Sequence, residues 1–169
     1  MRTAPDFGNR QIQATRFLRK LVTGGQTGVD RGALDAALAA GFPCGGWCPP
    51  GRAAEDGTIP ARYPMTEMAR GSYRERTKQN VIDSDATLVI YFDDLHGGTE
   101  QTVLDCIKHE KPYKLIDAAE IAPARAAELT AQFISRHGVS VLNVAGPRAS
   151  HAPEAHRYAA ETIARLLGS

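Results

Sequence analysis

Short apolar runs and stretches of helical spacing alternate along this chain. Residues 18–23, 86–92, 113–116 and 139–144 are compact apolar runs of strand length. Residues 29–40, 72–83, 100–110, 122–137 and 153–167 instead space their apolar residues for one face of a helix. The run Ala86-Thr-Leu-Val-Ile-Tyr-Phe92 lacks polar–apolar alternation, which predicts a strand buried on both faces of a parallel sheet. In the helix over 29–40, Ala33, Ala36, Ala37 and Ala40 are small enough for close packing on that sheet. Local signals agree with these bounds. Thr27 with Asp30 three residues later resembles a capping pair, Gly41 and Gly138 stand where helices should stop, and Pro153 suits a first turn with spare N–H groups.

Strand–helix alternation of this kind predicts right-handed crossovers and an α/β fold: a doubly wound, mostly parallel sheet with helices on both faces. Residues 1–16 are polar and patternless and read as a flexible arm, and residues 17–169 show no repeat or linker and read as a single domain. Residues 42–64 are rich in Pro and Gly, and a loop that long inside a compact domain is usually functional or mobile.

Composition narrows the partners. The formal charge is +1 with acids and bases interspersed, so neither a nucleic-acid surface nor a membrane surface is expected, and any recognition of phosphate is local. Three irregularly spaced cysteines do not make a disulfide framework and suggest a reducing compartment. With no apolar leader or bilayer-length run, the expected location is cytoplasmic. Cys44 and Cys48 have no second ligand pair after them, and His151 and His156 stand alone, so no metal site is expected.

Three turns carry the candidate chemistry. Gly24-Gly25-Gln26-Thr27-Gly28 links the first strand to the first helix, where glycines let a ligand approach the main chain and a helix N-terminus offers N–H groups to an anion. The other reading is a tight connection and nothing more, since the spacing fits neither G-x-G-x-x-G nor the P-loop. Gly97-Gly98-Thr99 and Ala145-Gly146-Pro147-Arg148 also follow strands. In open α/β sheets ligands bind beyond the carboxyl ends of the strands, and each of these turns pairs glycine with a polar reader: Gln26, Thr99 or Arg148.

The long loop adds Trp47 as a flat face for a ring, Arg52 as a fork for phosphate or carboxylate, and Glu55 with Asp56 as potential acids, bases or hydroxyl acceptors. It reads equally as a packed loop anchored by Trp47. Arg76, Asn80 and Asp83 recur at i, i+4 and i+7 and share a helix face, which is either a solvated stripe or a wall of the pocket. His96 and His109 lack evident partners and read as surface residues.

The blocks Thr23-Gly-Gly-Gln-Thr-Gly-Val-Asp-Arg-Gly-Ala-Leu-Asp35, Gly45-Gly-Trp-Cys-Pro-Pro-Gly-Arg-Ala-Ala-Glu-Asp-Gly57, Arg76-Thr-Lys-Gln-Asn80, Asp83-Ser-Asp85, Gly97-Gly-Thr99 and Asn143-Val-Ala-Gly-Pro-Arg148 resemble the signature blocks of the molybdenum carrier proteins. Those proteins form the circularly permuted YpsA-like branch of the SLOG superfamily. The resemblance implies a Rossmann-like sheet, a crevice for a nucleotide or a nucleotide derivative, and a homo-oligomer. It implies one of two activities. A carrier would bind a nucleotide or a molybdenum-cofactor-like pterin through phosphate and ring, with Gly24, Gly25, Gln26, Thr27 and Gly28 on one side of the phosphate and Gly97, Gly98 and Thr99 on the other. Gly146 would shape the turn that aims Arg148, Arg148 or Arg52 would supply the charge, Trp47 would border the ring, and the Arg76 and Asn80 face would line the pocket. The alternative is a phosphoribohydrolase of nucleoside monophosphates, with Glu100 or Glu55 assisting cleavage and Arg76 holding phosphate. The hydrolase hallmark resembles P-G-G-x-G-T-x-x-E. Here the turn reads Leu95-His96-Gly97-Gly98-Thr99-Glu100, without the leading proline or the second G-T pair.

Overall fold

The computed structural model describes residues 16–169, so the expected arm over residues 1–16 lies, except for Arg16, outside the described residues. In chain order the elements are β1 (Lys20–Val22), α1 (Val29–Ala39), β2 (Cys44–Gly45), β3 (Trp47–Cys48), β4 (Ala53–Ala54), β5 (Gly57–Thr58), β6 (Thr66–Glu67) and α2 (Tyr73–Ile82). They continue with β7 (Ala86–Tyr91), α3 (Gly97–Lys108), β8 (Tyr113–Asp117), α4 (Pro123–His137), β9 (Val141–Ala145) and α5 (Ala155–Leu167). Five strands form one parallel sheet in the order β2-β1-β9-β7-β8, the expected α/β architecture with a Rossmann-like sheet flanked by helices.

The burial of β7 follows from its sequence. Ala86, Leu88 and Ile90 enter the main core beneath α1, α4 and α5, while Thr87 points to the other face and accepts from Asn143 Nδ2 at 3.2 Å. With every position from Ala86 to Ile90 buried, the strand has no solvated face to mark with polar residues. Helix α5 packs on both α1 and α4, and α2 packs on α3. Close approach of α1 and α5 depends on Gly32, where a Cβ would lie 2.3 Å from the His156 carbonyl.

Helix ends follow local chemistry in α2 and α4. Ser72 and Glu75 form a capping box, with the Ser72 amide donating to Glu75 Oε2 at 2.8 Å. Gly138 takes the left-handed conformation, φ +61°, that ends α4. Three expectations change. Thr27 and Asp30 do not form a capping pair: Gly28 is the N-cap of α1, and Asp30 accepts from the Gln26 amide instead. Helix α3 begins at Gly97, so the glycines of the second candidate turn are its first residues. The region 42–64 contains β2 through β5 as well as turns, with β2 paired to β1 at the edge of the main sheet. Cys48, Ala54, Ile59 and Tyr63 from this region close over Leu34 of α1 in a second small core, which is why so glycine-rich a stretch is ordered. No described helix is long and apolar enough to cross a membrane.

Candidate functional site

Strand order brings the candidate turns together. Because β9 lies between β1 and β7, the turns that follow these three strands emerge side by side at the carboxyl edge. They border a cleft of about 400 Å³. Gln26 and Asp30 line it from the β1 side, Gly146 and Arg148 from β9, and Gly97, Gly98 and Thr99 from β7, with Tyr73, Arg74 and Arg76 of α2 across from them.

The turn after β1 is closed. Its Gly25 amide donates to Thr23 Oγ1 at 3.1 Å, its Gln26 amide to Asp30 Oδ2 at 3.1 Å, and its Thr27 amide to Gln26 Oε1 at 3.1 Å. The Gly24 amide also points at Asp30, so a carboxylate of the protein holds the place expected for phosphate. Burial raises the Asp30 pKa, against the pull of Arg76, whose Nη1 lies 3.7 Å from Asp30 Oδ2. The glycines here make room for protein. A Cβ on Gly24 would fall 1.7 Å from Arg76 Nη1, and one on Gly28 would fall 2.4 Å from the Pro147 carbonyl. Gly25, Thr27 and Gly28 do not line the cleft; of the five residues, Gln26 does.

The turn after β7 is open. A Cβ on Gly97 or Gly98 would meet nothing within 4 Å, and both residues are exposed to the cleft. They begin a helix of 12 residues whose N-cap, His96, makes no side-chain capping bond. The N-terminal turn of α3, the positive end of its dipole, therefore borders the cleft. Thr99, buried beneath them, completes this wall.

The polar stripe on α2 turns inward. Asn80 is buried and clamps two segments: its Oδ1 accepts from the Trp47 amide at 2.8 Å, and its Nδ2 donates to the Trp47 carbonyl at 3.0 Å and the Thr23 carbonyl at 3.3 Å. Asp83 accepts from Trp47 Nε1 at 2.7 Å. Trp47 is thus fastened to the back of α2 and, with Asn80, does not line the cleft, whereas Arg76 does. Arg52 does not line it either, because its guanidinium bonds the carbonyls of Ile59, Pro60 and Tyr63 at 2.8 to 3.0 Å and staples the long loop.

Glu55 ties three segments together. It accepts from the Thr27 hydroxyl, from Ser150 Oγ at 2.6 Å and from the Ser150 amide at 3.2 Å, and lies 3.8 Å from Arg148 Nε. Partial desolvation works against its ionisation, but these hydrogen bonds and Arg148 outweigh it and hold the pKa below the usual glutamate value. Its neighbour Asp56 receives both Nη atoms of Arg31, at 2.6 and 2.8 Å, a bidentate pair that lowers its pKa. Glu100 is exposed and does not line the cleft.

Other residues that line the cleft were not among the candidates in the sequence. Tyr73 lies at the mouth, its ring 5.5 Å from the Arg148 guanidinium carbon and 5.9 Å from that of Arg76. It stands three residues before Arg76, so extending the α2 stripe back one turn would have found it. His96, expected as a plain surface residue, lines the cleft and meets His151 edge-on with ring centroids 6.2 Å apart, while His156 pairs with Asp35 at 2.7 Å. Among the described residues no group of three or more His, Cys, Asp or Glu is arranged to hold a metal ion, and the Cys48 thiol, its pKa pushed up by burial, lies away from the cleft.

A sequence model of the circularly permutated YpsA SLOG family matches residues 21–167. The crystal structure of a protein named "putative molybdenum carrier protein", from Syntrophus aciditrophicus SB, is 39% identical and superposes with a TM-score of 0.86, covering 90% of this chain and 96% of that one. No curated protein matches the chain.

Proposed function

Since the chain belongs to the circularly permutated YpsA SLOG family, we propose that its cleft carries a phosphorylated heterocycle, either a nucleotide or a molybdenum-cofactor-like pterin, as bound cargo. The observation that carries this reading is the empty space above Gly97 and Gly98 at the uncapped start of α3. Phosphate there receives the helix amides, and Arg148, on the neighbouring strand end, supplies the full positive charge. Tyr73 borders the ring. A volume of about 400 Å³ suits a mononucleotide-sized ligand. A molybdenum-bearing cargo is held through its phosphate and ring, because the described residues offer no metal-ligand cluster.

Carriage fits the placement of the two glutamates expected to assist cleavage better than hydrolysis does. Cleaving an N-glycosidic bond needs a carboxylate free at the sugar, yet Glu100 is outside the cleft lining and Glu55 is committed to Thr27 and Ser150. The test is native mass spectrometry of freshly purified protein, followed by calorimetric titration with nucleoside monophosphates and their nucleosides. A co-purified phosphorylated heterocycle, or binding that needs the phosphate, supports the reading. Equal binding of nucleoside and nucleotide, or no binding of any phosphorylated heterocycle, overturns it.

A further inference from the structure

Away from the cleft, helix α3 is turned inside out. Its buried residues are Thr99, Thr102, Asp105 and Cys106, whereas Leu104 and Ile107 stand 51% and 56% exposed. No other large apolar side chain among the described residues is as exposed. Glu100, Leu104, Ile107 and Lys108 fall at i, i+4, i+7 and i+8, so they share the outer face of the helix, and all four are exposed. Leu115, on the edge strand β8, adds to the apolar area. It alternates with the core residue Ile116 and so points to the opposite face of the sheet, the face on which Thr87 meets Cys106 of α3. A single exposed leucine needs no account, but an apolar stripe on a helix that buries hydroxyls and a carboxylate does.

We infer that this face docks a second copy of the chain, α3 against α3, antiparallel about a two-fold axis near Leu104. The charges select that occupant. Glu100 stands one turn before Leu104 and Lys108 one turn after it. Turned antiparallel, each helix brings its Glu100 toward Lys108 of the other copy, so that an apolar centre closes between two pairs of opposite charge. A parallel arrangement sets Glu100 against Glu100, and a partner of a single charge sign is repelled at one end. The docking takes nothing from the cleft and stands apart from the ligand reading. It also gives Glu100, which lies outside the cleft lining, a task of its own.

The experiment is sedimentation equilibrium of the full chain from low micromolar concentration upward, where the wild type should show twice the monomer mass. Leu104→Asp should weaken the dimer by about a hundredfold or more, since each copy then buries a charge at the centre of the contact, while circular dichroism keeps the helix signal. Glu100→Lys and Lys108→Glu should each weaken it by about tenfold, and the two together should bring it back near wild type. The double variant sets both charges against the α3 dipole, so recovery reports on pairing between copies and not on helix stability. If Leu104→Asp does not fold, the charge series at exposed positions stands as the test. A monomeric wild type overturns the inference and leaves the face to a different protein. A dimer that survives Leu104→Asp overturns it too, as do charge reversals whose losses add in the double variant.

Discussion

A methyl group added at Gly24 would lie 1.7 Å from the Arg76 guanidinium, and one added at Gly98 would meet nothing within 4 Å. Both glycines follow parallel strands, at the same edge of the same sheet, in turns that look alike as sequence. In the first turn glycine lets protein approach protein: Arg76 rests on Gly24, the Pro147 carbonyl on Gly28, and the amides are spent on Thr23, Asp30 and Gln26. In the second, glycine leaves a helix N-terminus bare. A glycine turn at a strand end is therefore two devices, and only the surroundings say which. The closed turn holds the walls in place so that the open one has something to face.

The comparison breaks first at the closed turn. Gly28→Ala forces a side chain onto backbone 2.4 Å away at φ +80°, and Gly24→Ala drives Arg76 off Asp30. Overpacking and left-handed strain together cost Gly28→Ala about 2 to 6 kcal/mol, while Gly24, which is not at positive φ, carries only the overpacking, about 1 to 3 kcal/mol. Chemical denaturation should show that loss in both variants, and wild-type stability in either would contradict the closed turn.

A smaller effect sharpens the open side. Arg148→Ala should weaken a nucleoside monophosphate by about ten- to a hundredfold or slightly more, the worth of a charge-assisted hydrogen bond, and leave the nucleoside nearly unchanged. Arg148 lies 3.8 Å from Glu55, which it must share with the ligand. Equal losses for both ligands in calorimetry would remove the arginine from phosphate recognition.

The Glu55 tie that joins the long loop to the segments after β1 and β9 has a pH signature. Its folded pKa lies below the ordinary 4.5, so it contributes stability that is present above that value and is lost as pH falls through the folded pKa. Asp56, lowered by Arg31, acts in the same sense. Urea midpoints measured from about pH 5 to pH 2 should fall less steeply in Glu55→Gln than in wild type. Parallel profiles would mean that the tie is not ionic.

The sequence made the sheet legible where burial is continuous. β7 is buried on both faces and has no polar residue on a regular alternation, and α4 is bracketed by Pro123 and Gly138. β2 was not legible, because a Cys-Gly pair carries no strand pattern and owes its state to pairing with β1. At the site, the grouping of strand-end turns followed from topology. The roles within them did not, because Gly24 and Gly98 differ only in distant neighbours. Trp47 was the conspicuous aromatic, yet its indole is tied to Asp83, while Tyr73 lines the cleft. Asp30 read as a cap, since nothing local reveals that a helix carboxylate bends back onto its own glycine turn.

The central claim is that the space over Gly98 belongs to a ligand. Gly98 has no positive φ and lies in the first turn of α3, so Gly98→Ala should leave stability unchanged or raise it by up to about 1 kcal/mol, as alanine does in a helix. Calorimetric titration of that folded variant with a nucleoside monophosphate that binds the wild type is the direct test. A loss of affinity of about tenfold or more, with the melting temperature held or raised, is the predicted result; wild-type affinity in the folded variant would contradict it.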